Sequence, residues 1–238
     1  MRRRLFCITG GIYFCCAVLL AGAADTPSFI RANYDLMVGS GFKVATVSET
    51  YSRFGSHYRI ESISHAIGLA ALIKRETIHV ISEGMVTPQG LQPITYTHQR
   101  ELDTEKNSST QFNWEQALLV LNDHDGKRSI ALSAGTQDRL STMYQFQFIP
   151  LQDAREVKFN MTDGNKVEEY VYTVTQEKTV VVPFGICPAH YLATTPQPDG
   201  WKSEIWLRTQ DRLPCKVILT DSNGDRYIQV LTGLSIEP

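Results

Sequence analysis

The sequence predicts a mostly β protein: a single antiparallel sheet curved into an open or partly closed barrel, with one amphipathic helix and one short apolar helix. Three observations lead to this prediction. Apolar and polar residues alternate through most of the chain, turn-forming residues separate these stretches, and only two segments have helical character. Many strands joined by short turns are typical of an antiparallel meander.

Alternation with period two identifies the strands. Val157, Phe159 and Met161 alternate with polar residues, and the apolar residues of 170–174 follow the same rule. This is the pattern of a strand with one buried face. Further strands of this kind are predicted near residues 31–37, 42–52, 57–64, 77–84, 92–102, 109–114, 117–122, 128–132, 186–193, 203–208, 214–220 and 226–232.

Turn-forming residues lie between these stretches, at 39–41, 123–126, 163–165 and 221–225. Asn-Gly and Asp-Gly pairs supply the positive backbone φ angles that tight hairpins require. The acidic turns lack the ligand spacing of an EF-hand loop, so we interpret them as hairpins rather than calcium sites.

Two segments depart from the strand pattern. Residues 137–148 have apolar side chains at helical spacing, with Thr136 as a candidate N-cap and Pro150 as the stop. The second segment, residues 67–73, is apolar on every side. Such a segment is expected to be buried or to cover something apolar. We therefore predict that it forms the lid or rim of a binding site for an apolar ligand, through Ile67, Leu69, Leu72 and Ile73.

The first residues have the organisation of a secretory signal peptide. Three arginines follow Met1, an apolar stretch runs from Leu5 to Leu20, and small residues precede Asp25. These features fit export and cleavage after Ala23. The sequence therefore predicts a signal peptide over 1–23, one β-rich periplasmic domain over 24–238, and no retained membrane anchor.

Composition argues against nucleic acid as a partner. The chain has 23 basic and 25 acidic residues, and removal of the signal peptide takes away three arginines and no acids. The mature charge is then about −5, without the clustered cations that phosphate binding needs. The roughly 215 remaining residues suffice for one domain with a substantial core.

Two cysteines, Cys187 and Cys215, remain after cleavage. In an oxidising compartment they are candidates for a disulfide, but each lies in an apolar strand where a thiol also packs well. The sequence leaves both alternatives open. Neither cysteine has neighbours arranged to lower the pKa of a catalytic thiol.

The sequence predicts no metal site, no cofactor and no catalytic residue. The six histidines are scattered without ligand spacing, and the hydrolase, phosphate-loop and dinucleotide motifs are absent. A pair of carboxylates for glycoside hydrolysis stays open as an alternative. The candidates are Glu83, Glu101, Glu168, Glu169 and Glu204.

A set of short strings, in a fixed order, is spread over most of the chain: Tyr34 with Gly39 and Gly41, Tyr58-Arg59, Gly68-Leu69, Glu83-Gly84, Pro93 with Tyr96, Phe112-Asn113-Trp114, Gln137-Asp138-Arg139-Leu140-Ser141, Val182-Pro183-Phe184-Gly185, Trp206-Leu207 and Arg212-Leu213-Pro214. Taken together, these strings resemble an exported bacterial family, the domain of unknown function 3108. The resemblance implies a periplasmic protein with a curved antiparallel sheet, similar to the half-barrels of the lipoprotein carriers. It carries over no catalytic residues. The sequence departs from the pattern at Cys187 and Cys215, where apolar residues are expected, which favours a bridge.

A curved sheet with a helix across it encloses a cavity lined by alternate strand residues. The leading hypothesis is a non-enzymatic periplasmic protein that binds a lipid or other apolar group, or an envelope protein. The alternatives are an assembly factor that acts through protein contacts at its sheet edge, and a hydrolase of envelope glycan or lipid.

Overall fold

The computed structural model describes residues 27–39, 41–195 and 200–238. The predicted signal peptide, 1–23, lies outside them. The described residues form fifteen strands and two α-helices. The strands are β1 (Phe29–Val38), β2 (Phe42–Phe54), β3 (His57–Ala66), β4 (Thr77–Thr87), β5 (Gly90–Arg100), β6 (Ser108–Asn113), β7 (Leu118–Asp123), β8 (Gly126–Ala131), β9 (Gln137–Asp138), β10 (Glu156–Thr162), β11 (Val167–Val182), β12 (Gly185–Thr194), β13 (Lys202–Arg208), β14 (Pro214–Thr220) and β15 (Arg226–Glu237), and the helices are α1 (Gly68–Ile73) and α2 (Arg139–Gln145).

All fifteen strands belong to one sheet, in the order β8-β7-β6-β5-β4-β3-β2-β1-β15-β14-β13-β12-β11-β10-β9. Neighbouring strands are antiparallel, except that β9 and β10 are parallel. The first and last strands pair at the centre, with Phe29 opposite Glu237. The predicted curved antiparallel sheet is therefore confirmed, and it is open: β8 and β9 are its two edges.

The sheet curls until its two ends approach each other around α2. This helix contacts β3, β4 and β5 from one end of the strand order and β10 from the other, and β5 contacts β9. Such contacts between strands far apart in the order require a strongly curved sheet. Twist gives every sheet some curvature, and a helix across the concave face fixes how far it closes.

Aromatic side chains of α2 and of the 3-10 turn that follows it (Phe146–Phe148) pack against both halves of the sheet. Tyr144 stacks on Tyr51 of β2 at 5.5 Å between ring centroids. Phe146 meets Phe159 of β10 edge to face at 5.3 Å. Buried aromatic pairs of this kind contribute about 0.5–1.5 kcal/mol beyond the area they bury. The helix is thus a bridge between the two halves.

The N-cap of α2 is Asp138, which corrects the prediction that Thr136 is the N-cap. The Asp138 carboxylate accepts hydrogen bonds from the backbone N–H groups of Leu140 and Ser141, and Ser141 Oγ accepts from the Asp138 N–H. These bonds form a capping box. Residue 137 belongs to β9 rather than to the helix because it pairs with β10. The predicted span of 137–148 is otherwise accurate, since the 3-10 turn continues α2 to Phe148.

Buried hydrogen bonds attach this helix to the β4–β5 hairpin. Ser82 Oγ donates to Asp138 Oδ2 at 2.6 Å, and Gln145 Oε1 accepts from the Leu91 N–H at 2.6 Å. Gln137 Nε2 also donates to the Leu91 carbonyl at 2.8 Å. Gly90 has φ +110°, and a Cβ there would lie 2.3 Å from Gln145 Oε1. The hairpin therefore requires glycine at the point where the helix docks.

Replacement of Asp138 by alanine tests whether this attachment stabilises the fold. The variant loses the cap and leaves the Ser82 hydroxyl and two N–H groups without their acceptor. A free energy of unfolding lower by about 2–4 kcal/mol is expected, the sum of a lost cap and a buried unsatisfied donor. Chemical denaturation at neutral pH measures it. The matched control is Asp153→Ala at an exposed position, expected within about 0.5 kcal/mol of wild type. Equal stability of the two variants would contradict the assignment.

Candidate functional site

A cavity with a volume of about 790 Å³ lies between the concave face of the sheet and α2. Strands β1 to β5, β10, β11 and β13 to β15 contribute lining residues, as does α2. A volume of 300–1,000 Å³ is typical of sites for small molecules. Because almost the whole sheet contributes, this cavity is the principal candidate site.

The cavity has an aliphatic wall and a polar, exposed side. The wall consists of Leu36, Val47, Val80, Val217 and Leu219, which alternate inward along their strands. Charged lining residues at the other side are exposed to solvent, so that side is the entrance; they are Arg139, Lys166, Glu168 and Glu169. A site with these two regions has surface for an apolar body and for a polar head.

Aromatic side chains stand at the entrance with these charged groups. Tyr170 meets Trp201 edge to face at 5.2 Å, and its hydroxyl donates to Glu168 Oε2 at 3.2 Å. Lys166 Nζ donates to Glu168 Oε1 at 2.7 Å, which leaves this carboxylate shared between two donors. Arg139 belongs to the first turn of α2 and makes no hydrogen bond or ion pair within 4.0 Å to another described residue.

Among the described residues that line the cavity, Glu49 of β2 is the one carboxyl group in a buried position, with 8% of its surface exposed. Its Oε1 accepts from Ser62 Oγ and its Oε2 from the Tyr144 hydroxyl, each at 3.4 Å. Burial raises the pKa of Glu49 from 4.5 to about 7, and hydrogen bonds from Tyr144, Ser62 and Gln229 oppose that rise only in part. This acid therefore changes charge near neutral pH.

The four residues predicted as lid or rim lie outside the lining of this cavity. Leu69, Leu72 and Ile73 are 78%, 83% and 89% exposed, and Ile67 is half-buried. The segment is exposed rather than buried, and the other expectation, that it covers something apolar, stays a prediction. The physical reason is that α1 has only six residues and connects β3 to β4 beside β2, at the rim of the sheet. The role of these residues in ligand binding stays a prediction.

Cys187 and Cys215 are buried free thiols in the structure. Their side chains lie against each other in a cluster with Tyr34 and Val182. Burial and the neighbouring Cys187 raise the pKa of Cys215, so the thiol is held neutral, which does not favour a nucleophile. The disulfide between the two residues stays a prediction.

The structure separates the five glutamates that were candidates for paired carboxylates. Glu168 and Glu169 line the entrance, whereas Glu83 pairs with Arg59 and Glu204 binds Tyr191 and Lys202. Glu101 is exposed at the end of β5. At the turn after β7, Asp123, His124 and Asp125 bring ligand atoms within 4.8 Å of one another, but the Asp123 carboxylate already binds Arg128.

Glu49 and Arg139 were not identified by sequence reasoning, although the sequence contains a signal for the first. Ala45, Val47 and Tyr51 define the inward phase of β2, and Glu49 occupies that phase. An acid at a core position of an alternating strand is uncommon, because a buried charge costs free energy unless it is compensated. Arg139 has no comparable signal, since a helical arginine is usually only solvated.

The fold and the cavity define a class of protein: an open, strongly curved antiparallel sheet that holds a helix and a cavity on its concave face. A solved β-barrel-like protein of domain of unknown function 1849 from Brucella abortus shares this fold, with a TM-score of 0.57 and 12% sequence identity, over 89% of this chain and 99% of that one.

Residues 33–231 match the family described as protein of unknown function DUF3108, and the chain belongs to that family. Two other solved structures are similar at lower TM-scores. The MucA/MucB complex of Pseudomonas aeruginosa gives 0.27 at 16% identity, over 88% of this chain and 53% of that one. A DUF1329 family protein from Desulfovibrio piger gives 0.25 at 13% identity, over 89% and 87%. No curated protein matches the chain. None of the helices in the described residues is long and apolar enough to span a membrane.

Stability as a function of pH tests the burial of Glu49. The folded-state pKa of about 7 lies above the ordinary 4.5, so between these values the folded protein binds more protons than the unfolded chain. Stability from this residue is therefore lost as pH rises. Relative to Glu49→Gln, the wild type is expected to lose up to about 3 kcal/mol between pH 4 and pH 8. Denaturant unfolding across this range measures the difference.

The matched control is Glu204→Gln, for which the expected change of stability with pH has the opposite sign. Partial burial raises the pKa of Glu204, but hydrogen bonds from Tyr191 and Lys202 outweigh that effect and lower it. The wild type should therefore lose stability relative to Glu204→Gln as pH falls. If the free energy of unfolding changed with pH by the same amount in wild type and Glu49→Gln, the burial of Glu49 would be contradicted.

Proposed function

We propose that this protein is a non-enzymatic binding protein of the bacterial cell envelope, and that it holds an apolar or amphipathic small molecule such as a lipid. The observation that supports the proposal most strongly is the cavity of about 790 Å³ on the concave face of the sheet. Its aliphatic wall takes up an apolar body, which is the favourable step, because burial of apolar surface contributes about 25 cal/mol per Å².

The shape of the site supports binding rather than catalysis. Lining side chains belong to strands and to a helix fixed by buried hydrogen bonds, so the site is largely preformed. Among the described lining residues, Ser62 is the serine that meets a carboxylate, and its hydroxyl donates to Glu49 across 3.4 Å, at the long limit for an O–H···O bond. His98 is the one histidine, and burial lowers its pKa. A neutral imidazole without a nucleophile beside it does not form the core of a hydrolase.

Export to the periplasm is part of this proposal. It is supported by the signal-peptide features of 1–23 and by the resemblance of the sequence to an exported family. An exported protein with an internal cavity provides a lipid or other apolar group with a site shielded from water.

Docking to an envelope partner is a second candidate, favoured by the exposed apolar side chains of α1. Leu69, Leu72 and Ile73 point away from the sheet, where solvent contact is unfavourable. The sheet edge is a weaker docking surface because β8 carries Lys127 and Arg128, and charged edge strands discourage pairing. Docking of a partner through α1 does not conflict with ligand binding in the cavity, since the exposed α1 residues lie outside the cavity lining.

Filling the cavity tests the primary proposal. Val217→Trp places an indole in the aliphatic wall and should weaken binding of the fluorescent apolar dye N-phenyl-1-naphthylamine at least tenfold. The matched control is Val181→Trp on β11, at a position 76% exposed and outside the cavity. Dye titration followed by fluorescence measures both, and thermal melts establish that each variant is folded. Equal dye affinity in the two variants, or no dye binding by wild type, would overturn the proposal.

A further inference from the structure

The carboxyl group of Glu49 has acceptor capacity that its protein neighbours do not fill. The described neighbours that donate to it are all neutral: Ser62, Tyr144 and Gln229. Two of these bonds measure 3.4 Å, at the long limit for O–H···O bonds. A carboxylate has about four lone-pair positions. An incompletely satisfied carboxyl group therefore faces the cavity.

Among the described residues, no lysine, arginine or histidine nitrogen lies within 4.0 Å of the Glu49 carboxylate. A buried carboxylate without a cation is unfavourable, because little water compensates its charge. The proton is one partner that relieves this cost. A positively charged group of a bound ligand is another, and the position of Glu49 in the cavity wall makes it accessible to such a group.

The described residues that line the cavity include more carboxyl groups than cationic groups. The described part of the lining contains four carboxyl groups, Glu49, Asp163, Glu168 and Glu169, against the two cations Arg139 and Lys166. Lys166 already binds Glu168. A cleft lined by an excess of one charge concentrates ligands of the opposite charge. The aromatic rings of Tyr170, Tyr172 and Trp201 add surfaces that attract organic cations.

We propose that Glu49 is the specificity-determining anchor of the cavity, and that the cavity selects amphiphiles with a protonated primary amine over those with a hydroxyl or carboxylate. This inference rests on the proposed function. Leu36, Val47 and Val217 of the aliphatic wall line the same cavity as Glu49, so an alkyl chain and its ammonium group both find partners there. The ammonium donates to the carboxylate oxygens and replaces the long bonds with a short, charge-assisted one.

A preference for carboxylates is the alternative, because the cation Arg139 also lines the cavity. Its guanidinium lies at the entrance near Tyr96, Tyr170 and His98, and it makes no ion pair to another described residue. If Arg139 were the anchor, the cavity would prefer carboxylates. Three ligands of equal chain length separate the two: decylammonium chloride, 1-decanol and sodium decanoate, each below its micelle concentration.

The experiment is displacement of N-phenyl-1-naphthylamine from the full chain at pH 8. Wild type is expected to bind decylammonium at least tenfold more tightly than decanol, and decanoate no more tightly than decanol. Glu49→Gln, which keeps the size of the side chain, should abolish the preference and keep decanol affinity within twofold. Glu204→Gln, outside the cavity, should retain the preference.

A second measurement on the wild type does not depend on any variant. Decylammonium affinity should rise about tenfold between pH 6 and pH 8 as Glu49 loses its proton, since the pKa of this group is about 7. Decanol affinity should stay constant. The other groups that face Glu49 do not titrate in this range: burial raises the pKa of Tyr34 and of Tyr144 well above 10, and Ser62 and Gln229 are neutral.

Each outcome decides the inference. Equal affinity for decylammonium and decanol, a preference for decanoate that Arg139→Gln removes, or an unchanged preference in Glu49→Gln would overturn the role of Glu49 and leave the binding function intact. Failure of all three ligands to displace the dye from wild type would overturn both proposals.

Discussion

The buried hydrogen bonds between α2 and the β4–β5 hairpin are the constraint on which the rest of the structure depends. The sheet itself is open, and its strand pairing alone does not determine how far its ends approach. Asp138 accepts from Ser82 and caps the helix with the same carboxylate, and Gln145 binds the backbone of Leu91. These groups are removed from water, so each bond that fails leaves a costly unsatisfied partner. The helix is therefore held at one position across the concave face.

The cavity is a consequence of that position. Tyr144 and Phe146 fill the space beside the helix on its two sides, while the space between the helix and strands β1, β2 and β14 stays open. Glu49 lies where these regions meet, since the Tyr144 hydroxyl that donates to it belongs to α2. The same helix thus stabilises the closure of the sheet, forms a wall of the cavity and supplies a donor to its buried acid.

Sequence alone predicted most of the elements and little of the site. Alternation depends on local burial, so it located every strand except β9, whose two residues are too few to show a period. Pairing of β1 with β15 joins residues about 200 positions apart, which no local pattern encodes. The exposure of α1 was left open by the sequence, because an apolar composition indicates a partner surface without specifying whether the surface belongs to the same chain. Glu49 was detectable as an acid in the inward phase of β2, whereas its neighbours Tyr144 and Gln229 come from α2 and β15, which are distant from β2 in sequence.

If the cavity holds an amphipathic molecule, that molecule should be present in the protein as isolated from the cell. Protein purified from the envelope fraction of a producing cell should be extracted with organic solvent and the extract analysed by mass spectrometry, with Val217→Trp prepared in parallel. We expect an amphiphile that bears a primary amine, near one equivalent per chain in wild type and depleted in the variant. A wild-type extract with no molecule enriched over the Val217→Trp extract would contradict this expectation.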